Sequence, residues 1–118
     1  MKVSELRGLM LDVWVCRAEL EEFQGLRLTP AVAESVKAKI GYYPYHPSLD
    51  WNLAGPIIDR EKIGITFGTA SGLWHAMAMN AGVLSVKWHI TAPTPLVAAM
   101  RCYVALKFGE EVPDEVPA

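Results

Sequence analysis

The chain has 118 residues, of which 52% are hydrophobic and 20% charged, and its formal net charge is −2. This is the composition of one globular domain rather than of a disordered chain. It lacks the strong positive field that phosphate backbones demand, and no apolar run approaches the ~20 residues of a membrane helix.

The N-terminal segment MKVSELRGLMLDVW has Glu5, Arg7 and Asp12 interrupting any apolar stretch, so it does not read as a signal peptide, and a cytoplasmic location is expected. Cys16 and Cys102 share no CxxC spacing, and in a reducing compartment they read as two buried thiols.

The first segment is expected to form a helix over about 4–22. Ser4 is its candidate cap and Glu5 favours the helix dipole in the first turn. Leu6, Leu9, Met10, Val13, Trp14 and Leu20 fall on one side at helical spacing, and Asp12, Glu19 and Glu22 fall on a side expected to be solvated. Gly8 weakens the first turn, so the helix could begin near it. Residues 26–41 read either as a helix capped by Thr29 or as a strand alternating at Val36, Ala38 and Ile40; pattern alone does not separate these.

Next comes YYPYHPSLDWNLAGPII, from Tyr42 to Ile58, with three prolines that oppose a continuous helix or a central strand. Pro56 suits the first position of a short helix, PIIDREK, with Ile57 and Ile58 facing inward. Ser48 or Asp50 can accept a backbone N–H and start a turn or helix. Residue types favour a loop that lays Trp51 on the core as a lid. The functional reading makes Tyr42, Tyr45, His46, Asp50 and Trp51 a surface for a partner.

From Ile63 the period becomes alternating. Three strands are expected at about 63–68, 72–79 and 83–90, separated by GTASG and NAG turns. Leu84, Val86, Trp88 and Ile90 share one face of the third. The last element runs over about 95–108, capped by Thr94, opened by Pro95 and stopped by Gly109. Its apolar arc is broad enough to require burial of most of the helix.

The expected fold is therefore α+β: a three-stranded antiparallel meander covered by an N-terminal and a C-terminal helix, with a Pro/aromatic loop and short helix at 42–62. One compact domain is expected over 1–109. The tail 110–118 carries four acids and no base, and is expected to be mobile.

No motif assigns catalysis. There is no GxSxG elbow, no phosphate loop and no paired carboxylates. His46, His75 and His89 lack zinc-ligand spacing, although His75 and His89 sit on neighbouring expected strands and could come within reach. No catalytic, cofactor-binding or metal-binding residue is assigned. Helix, three strands, helix is also the order of double-stranded RNA-binding domains, but the last helix opens as APTPLVAAM with no base, so nucleic acid is a weak alternative.

Three blocks taken together, KVSELRGLMLDVWVCRAE, YHPSLDWNLAGPIIDREKI and APTPLVAAMRCYVALKFGEEVPDE, resemble the NinX-like family of small phage and prophage proteins. The family's middle block usually reads YSPSTDWxxGGPIIE, from which this chain departs at His46, Leu49, Ala54 and Asp59. The resemblance implies a phage-derived single domain and no established chemistry. The expected function is a non-enzymatic accessory module that binds a protein through loop 42–56. A weak nucleic-acid binder is the alternative, and an enzyme acting on a small molecule the third choice.

Overall fold

A computed structural model describes residues 1–19, 46–79 and 86–112, except the side chains of 79, 86 and 87. The expectations for 26–41, for the NAG turn, and for Leu20, Glu22, Tyr42 and Tyr45 fall outside the described residues. The described elements are helix α1 (Gly8–Glu19), helix α2 (Trp51–Glu61), strands β1 (Gly64–Gly68), β2 (Leu73–Met79) and β3 (Val86–Ala92), and helix α3 (Pro95–Phe108). The strands form one antiparallel sheet in the order β1-β2-β3, so the expected α+β meander with a helix toward each end is present.

The N-terminal helix begins at Gly8, the later of the two starts the sequence allows, and its buried side differs from expectation. Val3–Glu5 make a short 3-10 turn, and Gly8 at φ +58° separates it from α1. Glycine enters that left-handed region without the Cβ penalty of other residues, so the helix starts at Gly8 and Ser4 does not cap it. Leu6 is buried but lies before the helix, so a stripe counted from it is out of phase. The buried positions include Leu11, Trp14, Val15, Cys16, Arg17 and Ala18, whereas Leu9 is 68% exposed. Asp12, expected in solvent, is also buried.

Helix α2 begins five residues earlier than Pro56 would place it. Asp50 Oδ1 accepts the Asn52 N–H at 2.9 Å, and the helix runs on through Pro56. The cap satisfies a first-turn donor and offsets part of the cost of the N–H that proline lacks. Ile57 is buried and Ile58 half-buried against the core, as the sequence suggests.

Helix α3 is central. Thr94 Oγ1 accepts the Val97 N–H at 3.2 Å and the Gly109 N–H returns to the Ala105 carbonyl at 2.9 Å. One side of α3 lies on all three strands, and other sides meet α1 and α2. This is why Leu96, Ala98, Ala99, Met100, Cys102, Tyr103, Val104 and Ala105 are all buried. Facing them in the sheet are the buried Ala76, Ala78, Ile90 and Ala92. Many of these side chains are small, which lets helix and sheet approach closely. On the other sides of α3, Trp14 meets Phe108 edge-on with centroids 5.2 Å apart.

Strand β3 ends at Ala92, two residues beyond expectation, because Thr91 and Ala92 pair with His75 and Trp74. A register shift at Ala78/Met79 puts a bulge into this ladder. The residues that follow α3 meet the N-terminus. Met1 and Val112 exchange hydrogen bonds at 2.7 and 2.9 Å, the Val3 N–H reaches the Glu110 carbonyl at 3.0 Å, and Val112 is buried. Residues 110–112 thus pair with the chain's first residues.

Candidate functional site

The aromatic loop joins the body through its small residues. Leu49 N–H closes a turn onto the His46 carbonyl at 3.0 Å. Inside that turn Pro47 and Ser48 are buried, and the Ser48 N–H donates to Asp12 Oδ1 of α1 at 2.9 Å. Burial pushes the Asp12 carboxyl above its usual range, against the opposing pull of the Ser48 backbone and side-chain hydrogen bonds and of His46. Asp50 then caps α2. The segment 46–51 is held at both ends, by Asp12 from α1 and by its own helix.

This anchoring turns two large apolar side chains outward. Leu49 is 76% and Trp51 55% exposed. Trp51 therefore does not anchor the loop to the core; the buried turn at Pro47 and Ser48 does, because the Asp50 cap starts α2 with Trp51 on its solvent side. Of the residues expected at the site, His46 is half-buried with Nδ1 lacking a hydrogen-bond partner among the described residues, Asp50 is half-exposed, and Trp51 is exposed. Leu49 and Asp12 were not anticipated. The replacement of threonine by leucine in the family block was a signal for Leu49; nothing in the spacing pointed to Asp12.

A second polar cluster lies where the three helices meet. Arg60 Nη2 donates to Glu19 Oε2 at 2.8 Å and to the Tyr103 hydroxyl at 3.2 Å, and Arg60 Nε donates to Glu61 Oε2 at 2.9 Å. The Tyr103 hydroxyl donates to Glu19 Oε2 at 2.8 Å, and Lys107 Nζ lies 3.6 Å from Glu61. Burial tends to raise the Glu61 pKa, but its hydrogen bond from Arg60 and the charge of Lys107 hold it below the usual range. Burial, then the Glu19 bond and charge, push the Tyr103 phenol upward. Arg101, on the sheet side, donates to the Leu6 and Thr91 carbonyls at 2.7 and 3.1 Å.

Neither thiol is an activated nucleophile. Cys16 and Cys102 are free and buried, and burial, helped at Cys16 by Glu19, pushes each to about 12. At neutral pH both stay protonated and unreactive. A cleft bounded by Val3, Trp88, Ile90 and Glu110 offers only ≈ 130 Å³, against the ~300–1,000 Å³ of small-molecule pockets.

The residues of the loop turn, the N-caps Asp50 and Thr94, and the polar cluster fall within one stretch shared with a known family. The family described as bacteriophage P22 NinX matches residues 2–107. The chain belongs to that family. No curated protein matches it in sequence. The match takes in every described helix and strand except Phe108, the last residue of α3, and it includes His46, Asp50 and Trp51.

Proposed function

We propose that this phage-derived protein is a non-enzymatic accessory module that binds another protein through the ledge formed by Leu49 and Trp51, with His46 and Asp50 completing the surface. The observation that carries the reading is the exposure of Leu49 and Trp51, 76% and 55%, on either side of the α2 cap and beside a turn whose Pro47 and Ser48 are buried and whose Ser48 N–H is bonded to α1. Exposed apolar side chains on a fixed base lose little entropy on binding, and tryptophan is enriched among residues that dominate interface energies. The occupant that suits it is a protein presenting an apolar pocket.

Nucleic-acid binding gains no support from the bases near this surface. Arg60 is engaged by Glu19 and Glu61, and Lys62 Nζ bonds the Asp59 carbonyl. An enzymatic reading gets no activated thiol from Cys16 or Cys102, which burial keeps protonated. No described helix is long and apolar enough to cross a membrane, and we place the protein in the cytoplasm.

The test is affinity capture from phage-bearing cells with native, Leu49→Ser and Trp51→Ala chains, followed by reconstitution with the purified captured protein. The proposal expects one protein retained by the native chain, reduced by Leu49→Ser and lost with Trp51→Ala. Equal retention by all three chains contradicts it.

A further inference from the structure

The β1–β2 hairpin and β3 bring two histidines together on the face of the sheet opposite α3. Thr66 pairs with His75, and His75 with Thr91; Met77 pairs with His89. His75 and His89 are therefore diagonal neighbours across β2 and β3. His75 Nδ1 lies 2.8 Å from His89 Nε2, with ring centroids 5.0 Å apart and planes inclined by 22°. At that distance one nitrogen donates a proton and the other accepts it.

The turn fixes the other end of His75. Gly72 at φ +70° donates to the Gly68 carbonyl at 2.8 Å, and the Leu73 N–H bonds Ser71 Oγ at 3.2 Å. This sets Ser71 Oγ 3.0 Å from His75 Nε2. A Cβ at residue 68 would collide with that imidazole nitrogen, so glycine keeps the space open for the ring. With Nε2–H donating to Ser71, His75 presents a bare Nδ1 toward His89.

We propose that His75 Nδ1 and His89 Nε2 bind one divalent transition-metal ion of the zinc class, in the position now taken by the shared proton. The inference is independent of the ledge reading. Imidazole nitrogen suits zinc, nickel and copper ions. Two nitrogens each ~2.0–2.1 Å from zinc at a tetrahedral angle lie roughly 3.3 Å apart, so the facing atoms need to separate by about half an ångström, a small torsion for rings at the surface. His89 moves its proton from Nε2 to Nδ1, and His75 keeps its proton on Nε2. Two neutral rings thus bind the ion with no net change in protons. The bond from His75 Nε2 to Ser71 is the outer contact that orients a metal-ligating histidine. Among the described residues no third His, Cys, Asp or Glu joins the pair, which leaves positions on the ion for water or a ligand atom.

The experiment is a titration of the full chain with ZnCl₂, followed by calorimetry and by the nitrogen chemical shifts of the three imidazoles. The proposal predicts one saturable site, with His75 Nδ1 and His89 Nε2 shifting to metal-bound values and His46 unmoved. His75→Gln and His89→Gln each weaken binding at least tenfold, at unchanged melting temperature. Ser71→Ala weakens it less than either histidine variant. Absence of saturable binding, or an affinity that survives both histidine substitutions, overturns the proposal.

Discussion

Asp12 and Ser48 are 36 positions apart, and the Ser48 N–H donates to the Asp12 carboxylate at 2.9 Å. That bond ties the aromatic loop to α1 and fixes where the ledge projects. Asp12→Ala leaves a buried N–H without an acceptor, which costs about 1–3 kcal/mol. Urea unfolding measures this, and Asp12→Asn, which keeps an acceptor oxygen, is expected to lose far less.

The same carboxyl gives a pH signature. Its pKa is raised in the folded protein, first by burial, so the native state holds the proton to higher pH than the unfolded chain does. Its contribution is most favourable below the unfolded value, about 4, and is lost as pH rises through the native pKa. The stability of Asp12→Asn relative to the native chain is expected to grow over that interval and then level off. A difference that stays flat with pH contradicts the buried carboxyl.

Tyr103 carries a second titration. Its phenol is pushed upward by burial and then by Glu19. One of the four tyrosines is therefore expected to be missing from an alkaline absorbance titration near 10 until the protein unfolds. Tyr103→Phe removes that late transition and costs about 1 kcal/mol through loss of the Glu19 hydrogen bond.

Pro56 sits within α2, where proline removes a helical hydrogen bond and crowds the preceding turn. It is exposed, so replacing it disturbs no core contact. Pro56→Ala is expected to stabilise the protein by about 1–3 kcal/mol, less than or near the usual cost of an interior proline. A denaturation midpoint that falls instead contradicts this.

The sequence carried the sheet and α3 well, because each has local chemistry that agrees with its packing: strict alternation around Trp88 and Ile90, and a Thr94-Pro95 start with a Gly109 stop. The phase of α1 was not legible, since Leu6 belongs to a separate turn and Gly8 resets the helix. The site was partly legible. Asp50 announced a cap by its residue type, whereas the outward direction of Trp51 depends on where that cap starts the turn. Asp12 lay beyond reach because its partner is a backbone N–H far away in the chain. The meeting of His75 and His89 followed from strand adjacency; the Ser71 contact needed the shape of the turn.

The most direct test is the dissociation constant of the captured protein for the native and Trp51→Ala chains, measured with melting temperature as control. An exposed side chain contributes little to stability, within ~0.5 kcal/mol, while a dominant interface tryptophan contributes ~2 kcal/mol or more. The account predicts an unchanged melt and an affinity weakened by roughly 30-fold. An unchanged affinity, or a loss of affinity that merely follows a collapsed melt, contradicts it.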